Sequence, residues 1–223
     1  MKMLTSARIR KFAIIMAVLA IPLMTSAEVM FSGGPGDGRT GAPGEGSCLD
    51  CHSGSPGDGS VLITGVPPSY TPDMTYTVTV TLQDQGQSRW GFELTAKDAS
   101  ANGAGSFTVT DAVNTQLSDN SAPSADYMKQ TSAGTYNGTA NGPVTWQFDW
   151  TAPSTDVGTI TFYAAGNAAN GNGSTSGDFI YFDTAESNLD TIPSVSQVGL
   201  FILAGLLLVT AFVWLRRQGR AAA

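Results

Sequence analysis

Cys48-Leu49-Asp50-Cys51-His52 places both cysteines of the chain and its only histidine within five positions. The spacing is C-x-x-C-H, the attachment signature of c-type haem. Two thiols two residues apart suit addition to the two vinyl groups of the ring, and the adjoining imidazole suits axial ligation of the iron. Cys48 and Cys51 are therefore the candidate thioether anchors, and His52 is the candidate axial ligand.

Other chemistries of the same residues are narrower. Two cysteines and one histidine cannot close a four-ligand zinc site or a four-cysteine iron–sulfur cluster within one chain. A C-x-x-C dithiol of the thioredoxin type sits between a strand and a helix, whereas this one lies among Gly, Pro and Ser. A plain Cys48–Cys51 disulfide stays open as the alternative. No hydrolytic triad is available once His52 binds iron, because the base would be missing. No pair of carboxylates is singled out by spacing, so no catalytic residue is assigned. The glycine-rich stretches match neither dinucleotide nor phosphate-loop patterns.

The ends of the chain supply the compartment. Lys2, Arg8, Arg10 and Lys11 precede an apolar run from Phe12 to Leu23 and small residues at Thr25-Ser26-Ala27, the layout of a secretory signal over residues 1–27. From Val198 to Leu215 the chain is uncharged and overwhelmingly apolar, and Arg216, Arg217 and Arg220 follow. This predicts a membrane-crossing helix over 198–215 with a basic cytoplasmic tail at 216–223. Between these ends lie all 18 acidic residues but only Arg39, Arg89, Lys97 and Lys129 as basic ones. So acidic a surface repels nucleic acid and favours cationic partners.

These residues must be positioned by the elements between. Residues 28–59 form a Gly/Pro-rich segment with no apolar periodicity, which a covalently attached apolar ring would give something to wrap. Beyond it the period becomes two. Val61 and Ile63 alternate, then Tyr76 to Leu82, Trp90 to Leu94, Phe107 and Val109, Val144 to Trp150, Ile160 to Ala164, and Phe179 to Phe182. Residues 111–141 read as a long polar connection with one apolar cluster at Tyr127-Met128. Seven or eight short strands broken by turn residues, with no helical period, predict an all-β, immunoglobulin-like antiparallel sandwich over 60–185. Residues 186–197 then form a linker.

Several segments together resemble bacterial proteins that carry a reelin-domain-like sandwich, the "choice-of-anchor V" module. They are GRTGAPGEGSCLDCHSG (Gly38 to Gly54), YTVTVTLQD from Tyr76, RWGFELTA (Arg89 to Ala96), WQFDWTAP (Trp146 to Pro153) and TFYAAGNAANGNGSTSGD (Thr161 to Asp178). The resemblance implies a secreted sandwich held to the cell by one of several anchors. Members of that family often read Tyr-x-x-His-Thr where this chain has Tyr127-Met128-Lys129-Gln130-Thr131, so Gln130 stands in place of a second histidine. Met128, nearest to that position, is the first candidate for a second axial ligand and Met74 the second. Ile192-Pro193-Ser194-Val195-Ser196-Gln197-Val198-Gly199, with the span and arginines after it, resembles the I-P-T-L sorting signal processed by exosortase-like enzymes. Ser194, Val195 and Val198 depart from it.

The chain thus reads as an exported, membrane-anchored monohaem protein that passes electrons to an unidentified redox partner protein, with its domain facing the periplasm or cell surface. It reads as a carrier or binding module rather than an enzyme. A haem sensor or peroxide-consuming site requires an open sixth position. The other class is a cell-surface adhesion or ligand-binding sandwich with the Cys48–Cys51 disulfide. Calcium is a further candidate, since Asn167, Asn170, Asn172 and Asp178 offer oxygen ligands, but they lack EF-hand spacing.

Overall fold

The computed structural model describes residues 31–54, 57–118, 125–190 and 197–221. Its strands, in chain order, are β1 (Ser60–Thr64), β2 (Ser69–Tyr70), β3 (Thr75–Gln83), β4 (Arg89–Lys97), β5 (Ser106–Thr108), β6 (Thr115–Leu117), β7 (Met128–Gln130), β8 (Val144–Thr151), β9 (Ile160–Ala169) and β10 (Phe179–Leu189). One sheet runs β1-β3-β8-β5 and the other β2-β10-β9-β4-β7-β6.

Alternation decides which side of each strand enters the core. On β8, Val144, Trp146, Phe148 and Trp150 are buried. They stand opposite Leu82, Val80, Val78 and Tyr76 of β3. On β4, Trp90, Phe92, Leu94 and Ala96 face the same core opposite Ala168, Gly166, Ala164 and Phe162 of β9. The sheets interlock through Phe92 on Trp146, ring centres 4.5 Å apart, and Trp150 edge-on to Phe162 at 4.9 Å. A side chain at Gly166 would come within 2.9 Å of Leu82, so that position closes the sheets by having none. Each buried indole N–H is satisfied: Trp90 donates to the Thr139 carbonyl at 2.9 Å, Trp146 to Gly134 at 2.9 Å and Trp150 to Ala104 at 3.0 Å. The aromatic area is thus buried without orphaned donors.

The expected sandwich forms, with corrections. It is not wholly antiparallel, because β2 pairs parallel to β10 through Ser69 and Tyr70. This short edge follows Pro67-Pro68, where the chain leaves the first sheet for the second. The polar connection contains β6 and β7, which pair with each other, and β7 joins β4. Three residues give too little alternation to show a period. The last strand runs to Leu189 rather than Phe182, since its outer half carries Thr184, Glu186 and Asn188 on an exposed face.

The larger surprise is the back of β4. Gly91, Glu93, Thr95 and Lys97 alternate away from the core yet are buried. The Gly/Pro-rich segment covers Glu93 and Lys97, while Thr95 donates to the Asp126 carbonyl at 2.8 Å and Gly91 lies beside Gln130. Thr40 bridges to Ser47, and ion pairs fasten the segment to the sheet. Lys97 meets Glu45 at 2.5 Å and Lys129 meets Asp37 at 2.7 Å. The Arg39 N–H donates to Glu93 at 2.5 Å, and Tyr127 donates to Glu45.

A helix, α1, spans Gln197–Ala221. Phe201, Leu208 and Trp214 on it are exposed. Among the described residues no helix is long and apolar enough to cross a membrane. The signal segment and residues 192–196 of the sorting motif lie outside the described residues.

Removing one partner of a buried ion pair strands the other. Lys97→Met therefore lowers the unfolding free energy by roughly 3 kcal/mol, and Lys97→Met with Glu45→Gln recovers part of the loss. Urea unfolding followed by tryptophan fluorescence measures both.

Candidate functional site

Cys48–Asp50 coil into a single 3-10 turn. Ser47 and Asp50 cap it reciprocally: the Ser47 hydroxyl accepts from the Leu49 N–H at 3.2 Å and the Asp50 carboxylate accepts from the Ser47 N–H at 3.1 Å. The N–H groups of Cys51 and His52 both donate to the Cys48 carbonyl, at 3.3 and 3.0 Å. One turn therefore presents two thiols and an imidazole together. Both cysteines are free, so the Cys48–Cys51 disulfide of the alternative reading is not formed.

The turn forms one wall of a cleft over the outer face of the six-stranded sheet. The cavity measures about 190 Å³ and is open to solvent. Cys48, Cys51 and His52 line it, facing Phe31 and the Trp90–Phe92 stretch of β4, with Arg39 and Arg89 also in its walls. Gln130 lines it too, with its side-chain oxygen taken by the Phe92 N–H at 2.8 Å. The position at which the resemblance expects a histidine therefore does reach the cysteine turn.

The methionines do not. Met128 is fully buried in the hydrophobic core, and Met74 is 51 % exposed ahead of β3. Neither lines the cleft. Position 128 shares the register of Leu94, a core residue, and being two residues from Gln130 does not bring its side chain to the cleft.

His52 is held by a residue 126 positions away. Its Nδ1 lies 2.7 Å from the Asp178 carboxylate, whose side chain is 2 % exposed and also accepts from the Asn170 N–H at 3.3 Å. The Asn167 amide nitrogen is 3.3 Å from Nδ1 and 3.2 Å from Nε2. An in-plane position so nearly equidistant would collide with the carbon between the nitrogens. The amide therefore sits over the face of the ring, leaving the in-plane lone pair at Nε2 free.

Of the candidate calcium ligands, Asp178 is engaged by His52 and Asn170, and Asn167 Oδ1 has no hydrogen-bond partner among the described residues. Asn170 Oδ1 accepts from the Asn172 N–H at 2.9 Å and Asn172 Oδ1 from the Ser174 N–H at 2.8 Å, which closes the loop on itself. Among the described residues no three His, Cys, Asp or Glu side chains converge to hold a bare ion.

Glu93 lies beneath the cysteine turn, fully buried. Its second oxygen has no hydrogen-bond partner among the described residues. Burial, opposed by the Arg39 N–H and Lys129 and reinforced by Asp37 and Glu45, pushes its carboxyl up to about 8. Burial first, then Glu93, pushes the Cys48 thiol up to about 12. Alternation turns Glu93 outward, as a solvated charge would be, so it does not stand out in the sequence, and Asp178, read there as a calcium candidate, instead holds His52.

Residues 52–168 match the Reeler domain family. The match includes His52, Gln130 and Asn167 but leaves Cys48, Cys51 and Asp178 outside it. Two crystal structures of the F-spondin reeler domain are similar. One, of the human protein, shares 22% identity with a TM-score of 0.43, covering 62% of this chain and 94% of that one. The other also shares 22% with a TM-score of 0.43, covering 65% and 96%. The macrocyclising AvmM of alchivemycin A biosynthesis shares 14% with a TM-score of 0.41, covering 63% and 93%. No curated protein matches.

Two outcomes follow from the buried carboxyl and the unequal thiols. A glutamate with a raised folded pKa holds its proton more tightly when folded. Its contribution to stability is thus complete below the ordinary glutamate range and is lost as pH rises to about 8. Between those limits the urea midpoint falls with pH, and Glu93→Gln flattens that part of the profile. Iodoacetamide at pH 8 alkylates exposed Cys51 at least roughly tenfold faster than half-buried Cys48, as mass spectrometry of tryptic peptides reads; equal rates would contradict the shielding of the Cys48 thiol.

Proposed function

The chain belongs to the Reeler domain family, and from that premise we propose that the cleft carries one covalently attached haem and that the protein is an extracytoplasmic one-electron carrier. The observation that carries this is the C-x-x-C-H turn lining an apolar cleft with Nδ1 of its histidine already bound to a buried carboxylate.

The residues fit the group. Cys48 and Cys51 leave one helical turn on the cleft side, the arrangement that two vinyl thioethers need. His52 keeps Nε2 free as an axial ligand. Phe31 supplies apolar wall and the Trp90–Phe92 backbone, open at Gly91, supplies the floor, while Arg39 and Arg89 supply positive charge suited to propionates. The lack of three converging ligands tells against a bare ion but not against haem, whose ring brings four nitrogens of its own. When bound, haem supplies an iron couple that gains and loses single electrons. The chain's part is to anchor the ring by two sulfurs, orient one imidazole and hold positive charge at the cleft.

Export through residues 1–27, attachment by the apolar stretch 198–215 and processing by an exosortase-like enzyme belong to the same proposal. So does the finer "choice-of-anchor V" assignment, with a cationic redox partner suited to the acidic surface. Supporting them are the basic-apolar-small order at the start and the uncharged stretch before Arg216 and Arg217. A second reading draws on the open cleft itself. A Reeler-domain sandwich is consistent with a binding or adhesion module, and Phe31 stands exposed there, so the cleft would take a ligand reversibly.

Expression of the full chain with a c-type haem maturation system separates the two. The expected result is a haem-staining band on a denaturing gel and an intact mass increased by one haem, both lost in the Cys48→Ala/Cys51→Ala double variant. A folded, exported chain of unmodified mass would overturn the haem proposal and leave the binding module.

A further inference from the structure

We propose that Asp178 is the positioning residue of the site: it fixes His52 as the Nδ1–H tautomer and makes Nε2 an electron-rich ligand that holds the haem potential low. The potential rests on the haem reading above; the tautomer does not.

Both ends of the contact are pinned by separate parts of the chain. The backbone of His52 donates to Cys48, and that of Ser53 to Thr175 at 3.2 Å, so the imidazole is carried by a turn tied to the opposite loop. Asp178 immediately precedes β10 and accepts from the Asn170 N–H. Carboxylate Oδ2 and a bare Nδ1 are both acceptors, and at 2.7 Å they would repel. With Asp178 ionised, the imidazole proton therefore resides on Nδ1. Asn167 packs on the ring face and offers its amide to neither lone pair in plane, so it does not compete for Nε2.

The chemistry follows from that proton. A histidine that donates from Nδ1 to a buried carboxylate gains negative character at Nε2 and becomes a stronger donor to a metal. A stronger axial donor favours the oxidised over the reduced iron, and hydrogen bonding beyond the ligands is one lever by which a protein sets a haem potential. The near-complete burial of Asp178 keeps water from weakening the effect. A histidine free to turn would offer either nitrogen; this one offers only Nε2.

The test has two arms on the full chain in detergent. Because the chain contains a single histidine, long-range proton–nitrogen correlation of the haem-free, 15N-labelled protein shows one imidazole. The expected pattern is Nδ1 protonated and Nε2 bare, and a protonated Nε2 in the wild type would overturn the proposal without any variant. In the second arm, redox titration of haem-loaded protein compares wild type with Asp178→Asn, Asp178→Ala and Asp178→Glu. The expected result is an upward shift for Asn, a larger one for Ala and a return toward wild type for Glu. Equal potentials at equal haem content would overturn it. Failure of every variant and the wild type to acquire haem would sink the haem reading instead, leaving the tautomer to decide the role of Asp178.

Discussion

The structure depends on a layer of charge where a sandwich domain ordinarily meets water. Lys97, Lys129 and Glu93 on the back of the six-stranded sheet meet Glu45, Asp37 and the Arg39 N–H of the Gly/Pro-rich segment. That segment has little apolar surface of its own with which to fold. Salt bridges on an open surface would contribute little, but these are covered, and covered charges tolerate few alternative arrangements. They hold the cysteine turn at one height and one angle over the sheet.

The inner and outer faces of β4 therefore obey different rules. The inner face is an aromatic mosaic, in which Phe92 against Trp146 and the three satisfied indoles set the spacing of the sheets. The outer face is a polar mosaic in which Glu93 lacks one partner among the described residues. A single strand carries both, so the cleft is built against the most rigid part of the domain although its other wall is a turn-rich segment.

Much of this was legible in the chain. Alternation at Tyr76 to Leu82, Trp90 to Leu94 and Val144 to Trp150 placed the strands and chose their buried sides, because period two is a local property. The C-x-x-C-H turn was legible for the same reason. What was not legible depends on distance. Glu93 looks like any outward-facing charge until a segment some fifty residues earlier lies on it, and Asp178 is separated from His52 by 126 positions. Met128 misled because closeness in sequence to Gln130 says nothing of its partner across the sheet, where its register opposite Leu94 buries it in the core. Strands β6 and β7 are too short to show a rhythm.

The order of these parts along the chain has a consequence in time. Synthesis delivers Cys48, Cys51 and His52 long before β4, β9 and Asp178, so there is an interval in which the thiols belong to an extended polymer and nothing shields them. Arrival of Asp178 and β10 ends it, because only then is the imidazole captured. Any modification that needs both sulfurs and a freely turning imidazole has its natural opportunity in that interval, before the last strand joins.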